Sequence, residues 1–434
     1  MTAITHARVL RIALPIVISN ATIPLLGAVD TAVIGQIGQA APLAAVGLGA
    51  MILATFYWIF GFLRMSTSGL AAQAMGAGDR VERDAVLLRA LMIGAAAGLI
   101  LVGLQGALFG AALWVAPASA EVEAAARLYL GIRIWGAPAT VMLHAVTGWL
   151  IAAERTRAVL LLQLVQNGLN VGLDMLFVLK LGWGIAGVAQ ATLIAEYAGL
   201  LLGLWLLRAV FGPQLGAALA RLRDPMALRK MFGASRDIML RSVLLQLSFT
   251  SFIFLAAGFG DVTLAANHVL MQFLEITAYG LDGFAFAAET LVGQAVGARA
   301  AGQLRRATAV SMQLGLAGAA VLALIFALAG APIIALMTTA PDVRAEAAIY
   351  LPWLVIAPLV GVGSWIYDGV YIGALRTQAM LRAMAVSVAC YVAALLVLVP
   401  LAGNHGLWGA LMVLNLMRLV TLRRGFPALA QALG

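Results

Sequence analysis

Asp30, Asp174, Glu196, Glu275, Asp282, Glu289 and Asp368 all sit inside otherwise apolar stretches of this sequence. An ionisable group held away from water costs about 2.5–3.5 kcal/mol on membrane-insertion scales, so each needs a reason to be there. Gln163, Asn167, Asn170 and Asp174 are spaced four, three and four residues apart, which puts them on one face of a helix. Thr192 and Glu196, four apart, share a face of the next apolar run. Carboxylates, an amide carbonyl and a hydroxyl are hard oxygen ligands, suited to Na⁺ or to a proton held between two acids. The rival reading is a clamp, in which such groups hydrogen-bond neighbouring helices at roughly 0.6–2 kcal/mol each. For Asp30 with Asp174 the ion site is favoured; for Glu196 the two readings balance. Pro15, early in the run that carries Asp30, removes a backbone hydrogen bond and predicts a kink there.

A second stripe is formed by Glu275, Asp282 and Glu289, each seven apart and so on one face, with Asp368 in a later run. It reads either as a second proton path or a lining that attracts cations, or as acids paired with Arg64 or loop arginines. Pairing is slightly favoured.

The elements that must position these groups follow from composition. The chain has 434 residues, 63% hydrophobic and only 10% charged, with a mean hydropathy of +1.02. A soluble chain carries roughly 45–50% apolar and about 25% charged residues. Continuous apolar runs exclude a closed barrel, whose strands alternate at period two. About 20 apolar residues cross a bilayer as a helix, and twelve such helices are predicted. Their spans are 9–36, 43–75, 86–114, 124–151, 157–180, 185–210, 231–258, 263–296, 306–337, 345–373, 379–401 and 405–422.

The formal charge of +9 does not mark a nucleic-acid binder, because the bases form no arm or patch. They cluster instead after the second, fourth, sixth, eighth and tenth predicted helices and at the C-terminus, as Arg80, Arg83, Arg155, Arg221, Arg223, Arg299, Arg376 and Arg423 illustrate. By the positive-inside rule, both termini and the even-numbered connections are cytoplasmic. Cys390 is the lone cysteine, which leaves no disulfide within the chain.

An internal repeat sets the architecture. At a constant offset of 221 residues, Leu43-Ala-Ala45 matches Leu264-Ala-Ala266, and Gln73, Gly76 and Ala77 match Gln294, Gly297 and Ala298. The same offset pairs Tyr129 with Tyr350, Arg155-Thr156 with Arg376-Thr377, and Gly182 with Gly403. The prediction is an all-α integral membrane protein of two pseudo-symmetric six-helix bundles around a central cavity. Its N-terminal lobe is 1–210, its cytoplasmic linker 211–228 and its C-terminal lobe 229–434. Two such halves make a transporter plan.

Other chemistry is scarce. His6, His144, His268 and His405 have no metal-like spacing. There is no Walker A sequence to bind ATP, and no aspartate-rich metal motif of membrane prenyltransferases. No enzyme and no cofactor is expected.

Ala13-Leu-Pro15, Pro24-Leu-Leu-Gly-Ala-Val-Asp30-Thr-Ala-Val-Ile-Gly35 and Phe62-Leu-Arg-Met-Ser-Thr-Ser-Gly-Leu-Ala-Ala-Gln73 resemble the multidrug and toxic compound extrusion (MATE) family, in its DinF branch. Asp237-Ile-Met-Leu-Arg-Ser242, Thr277-Ala-Tyr-Gly-Leu-Asp-Gly-Phe-Ala-Phe286 and Asp368-Gly-Val-Tyr-Ile-Gly373 extend the likeness over essentially the whole chain. The resemblance implies two six-helix lobes that export organic, often cationic or aromatic, compounds in exchange for H⁺ or Na⁺. It also implies a coupling-cation site at Asp30, Asn170, Asp174 and Thr192, the place for Na⁺ if Na⁺ is used, and a bend in the first helix at Pro15. A tyrosine found one turn before the helix 1 acid in some members is Leu26 here. The expected setting is a bacterial inner membrane, with a small organic substrate, no nucleic-acid partner and a monomeric protein. The alternatives are a lipid-linked precursor flippase of the same wider superfamily and, from another class, a membrane enzyme acting on lipid.

Overall fold

The computed structural model describes residues 3–22, 29, 32–36 and 40–433. Among them all regular structure is helical, and each predicted span overlies a helix, a run of consecutive helical segments such as Arg80–Gly103 and Gln105–Val115, or its described part. Among the described residues, nine helices are long and apolar enough to cross a membrane. One of these, Thr377–Gln431, carries the last two predicted spans, separated by Gly403 at φ 55° and ψ −129°. Asp261–Gly297, which carries the second acidic stripe, has 37 residues and is about 55 Å long at roughly 1.5 Å per residue. Large apolar side chains point outward along several helices, such as Phe254, Leu328 and Leu401, each at least 75% exposed. In water that surface would be a liability; in lipid it costs nothing.

The repeat seen in sequence governs the backbone. Helices begin at Ala40 and Asp261, Arg80 and Ala301, Ala120 and Pro341, and Thr156 and Thr377. Each pair is 221 residues apart, as are the helix ends Gly76 and Gly297. Backbone with positive φ recurs in the same register: Gly78 (75°) with Arg299 (52°), Glu154 (58°) with Leu375 (53°), Gly182 (68°) with Gly403 (55°). Glu154 and Leu375 each follow a helix end whose next amide reaches back six residues' span, Arg155 N to Leu150 O at 2.9 Å and Arg376 N to Tyr371 O at 3.0 Å. That is the left-handed helix stop, made twice with unrelated side chains.

The chain divides into two compact units. One holds residues up to Val17, Ala72–Gly78 and everything from Phe232; the other holds Ile18–Ala71 and Asp79–Met231. The core of the first is built on Phe252, Leu270, Tyr391 and Trp408, with the Phe252 and Trp408 rings edge to face at 5.0 Å. In the same unit the repeated Gln-x-x-Gly motif meets its own copy. A Cβ on Gly76 would fall 2.0 Å from the Gln294 carbonyl oxygen, and one on Gly297 would fall 1.9 Å from that of Gln73. Only glycine allows these backbones to approach so closely. The Gln73 amide donates to Gly373 O at 3.0 Å, while Arg8 donates to Gln294 Oε1 at 3.0 Å.

The core of the second unit gathers Leu53, Tyr57, Leu130, Ile134 and Val188. Its crossing Ala120–Ala152 is interrupted by a tight 3₁₀ turn, Ile134–Gly136. Pro138 explains the turn, because it has no N–H for Ile134 O and its ring crowds that carbonyl. Ile134 O accepts from the Ala137 N–H instead.

Candidate functional site

Asn170 and Asp174 are the buried end of the polar face on Thr156–Asp174. The Asn170 amide nitrogen donates to Thr192 Oγ1 at 3.1 Å, and that hydroxyl donates to Val188 O at 3.0 Å. Asn170 Oδ1 is buried and accepts no hydrogen bond among the described residues. A buried carbonyl left without a donor costs about 1–3 kcal/mol, and a cation or a protonated acid would relieve that cost. Asp174 is fully buried one turn further on, where the α-helix gives way to a π-helical turn, Met175–Lys180. Such turns widen a helix locally and recur at functional sites.

The other end of the face is tied to the first helix, His6–Ala21. Gln163 donates to Asn167 Oδ1 at 3.1 Å, Asn167 to Thr22 Oγ1 at 3.0 Å, and Thr22 to Ser19 O at 2.7 Å. The structure thus brings Asn170 against Thr192 on the adjoining helix, with Asp174 one turn further along. Asp30 and Leu26 fall outside the described residues. Pro15 lies inside His6–Ala21, which stays helical through it; the boundary between the two compact units follows two residues later.

Glu196 is a clamp. Arg133 grips its carboxylate with two parallel bonds, Nη1 to Oε2 at 2.7 Å and Nη2 to Oε1 at 2.9 Å. Both side chains are less than 10% exposed. The pair occupies the space beside Gly136, whose missing Cβ would stand 2.0 Å from Glu196 Oε2.

The second stripe separates by residue. Glu275 is exposed, Asp282 half-buried and Glu289 buried. Asp368 Oδ2 accepts from Arg241 at 2.7 Å and from Arg418 at 2.5 Å, and Arg418 also donates to Asn415 Oδ1 at 3.1 Å. Its partners are therefore two arginines inside predicted helices, not Arg64 or a loop base. Among the described residues no three His, Cys, Asp or Glu side chains converge as a metal site.

Sequence reasoning missed Arg133, Arg241 and Arg418 as partners. The available signal was their position: each falls inside a predicted crossing, where a base needs a reason as much as an acid does.

Comparisons with known proteins place the chain in a family and a fold. The MatE family model matches residues 15–176 and 238–398, one copy in each half. DNA damage-inducible protein F of Escherichia coli (strain K12) is 40% identical over 94% of this chain and 89% of its own length. A probable multidrug resistance protein NorM of Deinococcus radiodurans is 31% identical, covering 72% of this chain and 68% of the relative. Among solved structures, MATE in the bent conformation superposes with a TM-score of 0.88 at 18% identity, covering 98% of this chain and 96% of that one. An outward-facing multidrug resistance MATE family transporter of the MOP superfamily gives 0.88 at 19% identity, with 99% and 96% covered.

Proposed function

The chain belongs to the MatE family, and from that premise we propose that it exchanges H⁺ or Na⁺ for its cargo at Asp30, Asn170, Asp174 and Thr192. It is a multi-pass membrane protein and a secondary active exporter of organic compounds, not an enzyme. The observation that carries the cation site is Asn170: its nitrogen is spent on Thr192, and its buried oxygen is left to accept.

The mechanism follows from these groups. Asp174 is buried; in this reading Asp30 joins it, and two neighbouring carboxylates resist double ionisation and so share one proton. When the site opens to the more acidic outside it takes a proton, or Na⁺ bound by Asn170 Oδ1, the Thr192 hydroxyl and the acids. The loaded site draws the first helix in, bending it at Pro15, and cargo leaves. Release of the cation to the cytoplasm resets the site. The lobes 1–210 and 229–434, joined by the linker 211–228, rock as this happens. Glu275, Asp282 and Glu289 attract cationic cargo in this scheme, whereas Asp368 with its two arginines is structural. The loop arginines support cytoplasmic termini in a bacterial inner membrane, and the working unit is a monomer.

The test uses purified protein in liposomes loaded with a fluorescent organic cation, under an imposed pH gradient or an imposed Na⁺ gradient. Export should follow one gradient and disappear in Asp30→Asn and Asp174→Asn. Export that ignores both gradients would sink the antiport reading in favour of a lipid-linked precursor flippase.

A further inference from the structure

We infer that the buried Arg133–Glu196 pair is a positioning device for the cation site, setting the Thr192 hydroxyl against Asn170 from the break in the Ala120–Ala152 crossing. The inference rests on the cation site proposed above.

Glu196 lies four residues after Thr192 on Gly184–Leu206, so the two side chains point the same way one turn apart. Whatever fixes Glu196 fixes the rotation of that helix, and with it the direction of the Thr192 hydroxyl. Arg133 fixes it in two dimensions, because a guanidinium holding both carboxylate oxygens defines a plane as well as a distance.

Arg133 is itself held by the break. It is the last residue before the 3₁₀ turn Ile134–Gly136. The Ala137 N–H bonds Ile134 O, and Arg133 O accepts in addition from the Tyr57 hydroxyl at 3.4 Å. Tyr197, the residue after Glu196, donates its hydroxyl to Trp135 O within the turn at 2.8 Å. Gly184–Leu206 is thus joined to the break twice, once by charge and once by a neutral hydrogen bond. Gly136 completes the arrangement, since any larger residue would meet the carboxylate. A mid-helix 3₁₀ turn is a natural hinge. Movement there passes through Arg133 to Glu196 and on to Thr192.

A clamp that served stability alone would need none of this alignment with Thr192. Two variants separate the roles in full-length protein reconstituted in liposomes. Gly136→Ala keeps both charges but forces the Glu196 carboxylate to move. Arg133→Met/Glu196→Met removes both charges together and leaves no unpaired ion. The readout is the H⁺ or Na⁺ concentration giving half-maximal export of a fluorescent organic cation, measured apart from the maximal rate. Each variant should shift that concentration by about 10-fold, the scale on which supporting residues tune ion sites, while the maximal rate stays within about threefold. An unchanged half-maximal concentration in both variants, with monodisperse protein, would overturn the inference. So would complete loss of cation dependence in the double variant, because Glu196 would then carry the cation itself. Asp174→Asn, run in parallel, tells the two levels apart. If it retains cation dependence, the proposed site has failed; if it loses dependence while Gly136→Ala and the double variant both behave as the parent, only the positioning role has failed.

Discussion

Buried polar groups in this protein fall into two kinds, and they respond differently to mutation. Asp368 is satisfied by Arg241 and Arg418. Removing its carboxylate leaves two buried guanidiniums facing each other, at a cost of about 3–5 kcal/mol. Asp368→Ala should therefore lower the unfolding temperature markedly, while whatever folds should keep its cation dependence. Asn170 is the reverse case, with one amide hydrogen bond to Thr192 worth about 1 kcal/mol and a buried oxygen still to be filled. Asn170→Ala should barely change the unfolding temperature yet weaken the apparent affinity for the coupling cation by about 10-fold, read as half-maximal export against pH or Na⁺. A parent-like cation dependence in Asn170→Ala would remove it from the site. The difference between the two kinds was only half legible in sequence. Asn170, Asp174 and Thr192 announce themselves because helical periodicity aligns neighbours three and four apart. Asp368 gave no hint of its partners, which lie 127 and 50 residues away on helices whose relative rotation no local spacing encodes. Glu196 and Arg133, 63 apart, were hidden for the same reason.

At the scale of elements, duplication preserved backbone geometry more faithfully than side chains. Glu154 and Leu375 hold the same left-handed stop although neither is the glycine that such a position favours. Replacing either by glycine relieves Cβ crowding, worth roughly 1–2 kcal/mol, against a loss of about 0.4–1 kcal/mol from the freer unfolded chain. Glu154→Gly and Leu375→Gly should each leave thermal stability unchanged or slightly raised, with similar shifts in both halves. Unequal shifts would mean that the two stops are not equivalent. Gly76 and Gly297 face the opposite constraint, because an added methyl would meet a backbone carbonyl that has nowhere to go. Gly76→Ala and Gly297→Ala should each cost about 1–3 kcal/mol, seen as a lower unfolding temperature in detergent. The matched motif was visible in sequence as a repeat, but that its copies touch each other was not. Crossing limits were readable because apolar runs end where charges begin. The 3₁₀ turn at Ile134–Gly136 was not read, although Pro138 marks it, because an apolar run gives no sign of how its hydrogen bonds are shared.

On the scale of the whole molecule, what joins and drives the halves can be tested through charge. The linker is not loose: Ala218, Leu215 and Leu222 pack on Ala85 and Leu88, and the buried Arg89 donates to Arg221 O at 2.9 Å while gripping Glu82. Arg221 in turn bonds Asp79 at 2.7 Å, which holds the Asp79 carboxyl below its ordinary value of 3.8. A depressed carboxyl stabilises the docked state above its ordinary value and loses that contribution as pH falls through the lowered one. Both side chains are about 40% exposed, so the pair is worth well under 1 kcal/mol. Arg221→Ala at neutral pH should thus increase protease cleavage around 215–222 by only a few-fold, and acidification below about pH 4 should do the same to the parent. The driving force sets a sharper demand. If Asp30 and Asp174 share one proton, each turnover that moves a monovalent organic cation out and one H⁺ in carries no net charge. One pH unit then supports about a tenfold cargo gradient, and membrane voltage adds nothing. If both acids protonate in each cycle, one charge enters per turnover. A potential of 100 mV then contributes about 2.3 kcal/mol, close to a further 50-fold. Liposomes with voltage clamped by valinomycin and K⁺ separate these cases. A steady gradient that grows tenfold per pH unit and ignores the clamp keeps the shared proton; one that follows voltage gives each acid a proton of its own.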